Sequence, residues 1–194
     1  KLVIFSHGYY ANRGGSNQAC SYLTAYLAYQ GYFVASIQHE LPTDDLIPDQ
    51  GIPQIVRRPF WDRGVKNILF VLNALKKRYP ELDYQHVTLI GHSNGGDMSM
   101  LFGQENPTLL DKIISLDNRR VAFPRTKQPK IYSLRSSDQV ADEGVLPTSE
   151  EQKKYDIKII QLKNTTHSHM DNSGNEKQKK EINHYVLTFL NEHE

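Results

Sequence analysis

The run Gly91-His92-Ser93-Asn94-Gly95, followed by Gly96, sets one hydroxyl among small neighbours at the end of the apolar stretch Val87-Thr88-Leu89-Ile90. A serine in a G-x-S-x-G turn, closing a buried strand and opening a helix, is held in a strained backbone whose neighbours leave no room for side chains. Its hydroxyl then stands at a helix N-terminus, where unpaired amides favour developing negative charge. Ser93 is therefore the candidate nucleophile, with Asp97 to Phe102 predicted as the start of the helix.

A serine needs a base, and the base needs an orienting acid. In sheets built around such a turn the partners follow in the order nucleophile, acid, histidine, the histidine lying after the last strand. Two of the eight histidines, His167 and His169, occupy that loop, in Asn164-Thr165-Thr166-His167-Ser168-His169-Met170-Asp171. His167, nearer the strand, is the preferred base. Two aspartates follow strands at suitable heights: Asp138, after the fifth predicted strand, and Asp117, after the fourth. The reading favours Asp138 and keeps Asp117 as the alternative. Two backbone amides, those of Tyr9 after His7-Gly8 and of Asn94, are the candidate oxyanion hole. His7 is expected to buttress that loop. Tyr10, His39 and Trp61 are candidate substrate contacts, with Tyr9, Phe60 and Glu40 near them.

These groups need a scaffold with strand ends at one level. The sequence alternates short apolar runs with amphipathic stretches, which predicts a mostly parallel α/β sheet with helices on both faces. Strands are predicted at 2–6, 33–38, 87–91, 112–116, 131–134 and 157–162. Val65, Ile68, Leu69, Leu72 and Leu75 recur at helical spacing within 62–77. Helices are also predicted at 22–29, stopped by Gly31, and at 176–190. Residues 40 to 60, with four prolines, form a connection long enough to be functional. The segment between the fourth and fifth strands is too short to hold a cap domain.

The chain of 194 residues is 38% hydrophobic and 23% charged, with net charge +1, and reads as one domain over 1–194. That charge gives no footprint for nucleic acid or an anionic membrane. Cys20 stands alone, so no intrachain disulfide forms. No apolar run is long enough for an integral membrane segment. The start at Lys1, inside a strand, suggests an upstream segment, so a soluble chain, cytoplasmic or exported after losing that segment, is expected. Neither compartment nor oligomeric state is specified.

Phe5-Ser6-His7-Gly8, Gly31-Tyr32-Phe33-Val34-Ala35-Ser36 and Gly91-His92-Ser93-Asn94-Gly95-Gly96 together resemble the α/β-hydrolase superfamily. The resemblance is to its dienelactone-hydrolase-like, cutinase-like and platelet-activating-factor-acetylhydrolase-like esterases. It covers nearly the whole chain and implies an α/β-hydrolase fold without a cap domain, its opening strands missing. Pro129 and Asp138-Gln139-Val140-Ala141 resemble the acid segment of cutinase-like relatives. Leu116-Asp117, with Phe123-Pro124, resembles that of the acetylhydrolases. Dienelactone hydrolases proper use cysteine where this chain has Ser93, so that activity is not implied.

His167-Ser168-His169-Met170-Asp171 also resembles part of a metallo-β-lactamase zinc site. A zinc site needs further ligands, and only His184 and His193 follow downstream. The reading is a serine hydrolase of small-molecule or lipid-like carboxylic esters, acting through an acyl-enzyme with no metal or organic cofactor. A thioesterase or peptidase using the same triad, or a catalytically idle binding module of the same fold, is the alternative.

Overall fold

The computed structural model describes residues 1–192; His193, named above as a possible ligand, lies outside them. Six strands form one sheet: β1 (Leu2–Ser6), β2 (Phe33–Ile37), β3 (Val87–His92), β4 (Lys112–Leu116), β5 (Lys130–Arg135) and β6 (Lys158–Gln161). All neighbours run parallel, in the order β2-β1-β3-β4-β5-β6. The chain moves outward from β1 to β2 and then returns to the other side of β1. That reversal opens a crevice between β1 and β3 at the carboxyl ends of the strands, where parallel sheets bind ligands.

The strands alternate between two cores. Leu2, Ile4, Leu89, Ile113 and Ile131 face α3 (Arg58–Arg78) and α4 (Asn94–Glu105). Val3, Phe5, Ile90, Ile114 and Leu134 face α1 (Ser21–Tyr29) and α6 (Glu176–Asn191). Each large apolar side chain so buried contributes about 1.5–3 kcal/mol. Trp61, Val65, Ile68 and Leu72 form the buried stripe of α3, one turn apart along the helix. Gly31, at φ 89°, turns the chain out of α1.

The helix at 62–77 thus begins earlier, at Arg58, and Pro59 sits in its first turn, where a missing N–H costs nothing. The 40–60 connection contains a short helix, α2 (Pro53–Val56). A further helix, α5 (Ser149–Tyr155), starts at a capping box: Thr148 accepts the Glu151 amide, and the Glu151 carboxylate accepts the amide of Thr148. No helix among the described residues is long and apolar enough to cross a membrane.

Candidate active site

The register sets the site. Ser6 pairs with Gly91, and His92 with Leu116, so the loops leaving β1, β3 and β4 start at one level. Ser93 follows β3 with φ 52° and ψ −118°, a conformation that costs a non-glycine residue of order 1–3 kcal/mol. The packing enforces it: a Cβ on Gly91 would strike the carbonyl of Gly95, and one on Gly95 would strike the carbonyls of Ser6 and His7. Ser93 Oγ lies 2.9 Å from His167 Nε2. Both residues are half-buried, so solvent and small molecules reach them.

The acid at the ring is Asp117. Its Oδ2 lies 2.6 Å from His167 Nδ1, which places the ring proton on Nδ1 and turns the Nε2 lone pair to Ser93. Asp138, favoured on sequence, does not reach the imidazole. Its exposed carboxylate accepts the backbone N–H of His167 at 2.7 Å, at the start of the 3-10 turn His167–Met170. The physical reason is where each stands in its loop. Asp117 directly follows β4, takes φ 61° and is fully buried, whereas Asp138 lies three residues beyond the end of β5 and is exposed.

Asp117 is fully buried and shared by several donors. Oδ2 also accepts the Ser136 hydroxyl at 2.7 Å, and Oδ1 accepts the Ser136 amide at 3.0 Å. The buried Arg135 brings Nη2 to 2.9 Å of Oδ1, a charge contact without hydrogen-bond alignment, and its Nη1 donates to the Asn118 carbonyl at 2.6 Å. Burial pushes the carboxyl's pKa up. The His167 hydrogen bond, the Arg135 charge and Ser136 together outweigh that, and Asp117 is held below the usual carboxylate range. It stays ionised beside the imidazole.

His92 carries a second restraint that sequence reasoning missed. Its Nε2 donates to the His167 carbonyl at 3.1 Å. Burial, and then the neighbouring His167, push its pKa down to about 4, so it is a neutral donor. His167 is therefore held by its amide, its carbonyl and its ring. The signal was present in the motif itself, whose variable position before Ser93 is a histidine.

Gly8 brings the β1 loop against the elbow: a Cβ there would lie 3.0 Å from His92 Nδ1 and 3.4 Å from the Ser93 Cβ. Among the described residues, neither the Tyr9 nor the Asn94 amide has a protein acceptor. Asn94 opens α4, where such amides have no partner within the helix. His7 supports the loop from behind. Its Nε2 accepts the His39 amide at 3.1 Å, and its Nδ1–H donates to the Gly8 carbonyl at 2.6 Å.

The three candidate substrate contacts divide. Trp61 is buried, and its indole N–H donates to the Asn94 side chain at 2.9 Å, so it lies in the core behind the strand-to-helix turn and not on an open cleft surface. His39 is also buried, with Nε2 2.9 Å from Ser6 Oγ, because the chain turns inward after β2. Tyr10 is half-buried at the cleft, and its hydroxyl donates to Asp171 Oδ2 at 2.7 Å. Tyr9 ties the 40–60 connection to the site, its hydroxyl accepting the Ile47 amide at 3.0 Å.

The members of the H-x-H-x-D string part company. His167 turns to Ser93, His169 is exposed and Asp171 takes Tyr10. No three metal-ligating side chains converge among the described residues.

No family model matches the sequence. A probable serine hydrolase of Drosophila melanogaster is 22% identical over 154 residues, 77% of this chain and 40% of that protein. The chain thus spans less than half the length of the curated relative it matches. A methylesterase from Arabidopsis superposes with a TM-score of 0.59 at 14% identity, covering 97% of this chain and 98% of the other. An alpha/beta hydrolase enzyme from a Medee basin deep-sea metagenome gives a TM-score of 0.62 at 11% identity, covering 97% and 82%. Likeness at these identities speaks for architecture alone, and the architecture this chain shares with them is the α/β-hydrolase fold.

Proposed function

We propose that this chain is a serine hydrolase that cleaves carboxylic esters through an acyl-enzyme. The observation that carries the reading is the unbroken line from Asp117 Oδ2 to His167 Nδ1, 2.6 Å, and from His167 Nε2 to Ser93 Oγ, 2.9 Å, at a strained strand-to-helix turn. Ser93 Oγ attacks the ester carbonyl and passes its proton to His167 Nε2. The new imidazolium is stabilised by ionised Asp117, and the Tyr9 and Asn94 amides take the oxyanion. His167 then protonates the leaving alcohol. Water enters, gives a proton to the same nitrogen and attacks the acyl carbon. Collapse releases the carboxylic acid and returns the proton to Ser93. No step requires a metal or an organic cofactor.

The test is mass-spectrometric mapping of a fluorophosphonate probe, run beside turnover of p-nitrophenyl acetate and butyrate. Labelling confined to Ser93, and turnover abolished in Ser93→Ala, are the expected results. A folded protein that neither labels nor turns over would leave an idle member of the fold.

A further inference from the structure

We propose that His7 and Glu40 are positioning residues for the oxyanion hole: the His7 ring holds the Gly8 carbonyl and so aims the Tyr9 N–H at the substrate oxygen, and a neutral Glu40 behind the ring lets it keep that hold. The proposal rests on the serine-hydrolase reading and adds to it a proton-dependent support of the site.

Two groups that cannot change roles fix the tautomer of His7. The His39 backbone N–H can only donate, and it meets Nε2 at 3.1 Å. The Gly8 carbonyl can only accept, and it lies 2.6 Å from Nδ1. The ring is therefore neutral with its proton on Nδ1. Burial agrees, since it pushes the pKa of His7 down. The Gly8–Tyr9 peptide is trans and planar, so its C=O and N–H point in opposite directions. A ring that holds the carbonyl thereby sets the direction of the Tyr9 N–H, which has no acceptor among the described residues.

Glu40 stands behind the ring. It is buried, its Oε2 lies 3.7 Å from His7 Nε2, and its Oε1 has no partner among the described residues. An ionised carboxylate in that place draws a proton to Nε2, because nothing else there compensates the buried charge. His7 then turns an Nδ1 lone pair toward the Gly8 carbonyl and an Nε2–H toward the His39 amide, and both restraints fail together. The protons balance: Glu40 releases one to solvent, and His7 moves its own from Nδ1 to Nε2. A neutral Glu40 exerts no such pull.

The charges facing Glu40 come from two elements. Burial raises its pKa to about 7 against the pull of Arg63 on α3, and Asp44 on the 40–60 connection adds to the rise. The neighbouring His39 is neutral, burial having pushed it to about 3, and its Nε2 is engaged with Ser6 Oγ. On the other side of His7 the Tyr10 ring stands 6.2 Å away, its hydroxyl bound to Asp171 and pushed well above its ordinary pKa by burial. Glu40 is thus the group whose charge changes near neutral pH.

The experiment measures kcat and KM for p-nitrophenyl butyrate in His7→Asn, His7→Gln and Glu40→Gln beside the parent protein. An asparagine N–H falls where the Nδ1–H of histidine stands, and a glutamine N–H falls near Nε2. Glutamine is the closer match in size. A kcat at least tenfold higher in His7→Asn than in His7→Gln is expected, with KM changing less, since one lost oxyanion donor costs about 10²–10³ in kcat. Equal values, or the reverse order, show that His7 fills space only and overturn its role. The ratio of kcat in Glu40→Gln to kcat in the parent should rise at least threefold from pH 6 to pH 8.5, because glutamine stays neutral. A flat ratio overturns the role of Glu40. That substitution keeps the shape of the buried side chain, so it decides even where a His7 variant fails to fold. Fluorophosphonate labelling of Ser93 separates the two readings. Labelled variants that show neither effect overturn this inference and leave the hydrolase standing, whereas a folded parent protein whose Ser93 does not label brings down both.

Discussion

Asp117 and Asp138 both bind His167, one at the ring and one at the backbone amide, so their replacement separates two roles. Asp117→Asn removes the carboxylate that fixes the tautomer and stabilises the imidazolium, and kcat should fall by about 10³–10⁴-fold. Arg135 also loses its buried counter-charge, which costs a further few kcal/mol, about 3–5, in stability. Asp138→Asn should cost no more than about tenfold, because water can take the place of an exposed acceptor. Steady-state kinetics on p-nitrophenyl butyrate, with a melting curve for each variant, would decide; equal losses in kcat would refute the division. Sequence could not make this choice. Both aspartates lie in a loop that follows a strand. What separates them is a positive φ at Asp117 and the arrival of Ser136 and Arg135 from the next strand, which depend on how the chain pairs in three dimensions. That Ser93 and the histidine loop come together was readable, by contrast, because glycine spacing and chain order are written in the sequence.

At the level of elements, α3 is tied to the strand-to-helix turn by a hydrogen bond. The Trp61–Asn94 hydrogen bond ties the start of that helix to the residue whose amide is proposed to bind the oxyanion. Trp61→Phe keeps most of the buried surface and deletes the donor, leaving the Asn94 side chain unpaired. A loss of about 1–3 kcal/mol in stability follows from an unsatisfied buried amide. A drop in kcat larger than the change in KM should accompany it, since the hole binds the transition state more than the ester. A pure KM effect would show Trp61 to be a substrate contact after all. The six strands were legible because parallel strands buried on both faces appear as apolar runs, as in Leu2–Ser6 and Lys112–Leu116. α5 was not, since its exposed residues carry no apolar period. Its one local mark is the spacing of Thr148 and Glu151. His39 and Trp61 looked like cleft residues because polar and aromatic groups near strand ends often are, yet the chain turns both inward.

Considered whole, the molecule buries titratable groups whose effects on stability oppose each other. Burial pushes Glu40 up to about 7, against the counteracting charge of Arg63. Folding therefore favours its protonated form: that contribution is complete below about pH 4.5 and is lost as pH rises through about 7. Burial pushes His39 down to about 3 and His92 to about 4, so their contribution is present above about pH 6.5 and is lost as pH falls through those values. Glu40→Gln mimics the protonated acid. It should stabilise the protein at pH 8 by about 2 kcal/mol and give no advantage near pH 4. It should also steepen the loss of stability on acidification from pH 6.5, because the opposing group is gone. Urea unfolding at pH 8, 6 and 4 measures this; no gain at pH 8 would refute the buried-carboxylate account.

The Tyr10–Asp171 contact joins residues 161 positions apart, and the Asn172 side chain reaches back to the Gln18 carbonyl across 154. The opening loop of the chain is thus clasped by its closing third. A ribosome delivers these parts in order, so Ser93 emerges long before the histidine that would activate it. Contacts of such separation form late and slowly in parallel sheets, because a large loop must close before they give any return. Ser93 Oγ therefore meets His167 Nε2 only after residues 161 positions apart in the chain have been brought together, so the pairing on which the proposed chemistry depends is among the last contacts to form.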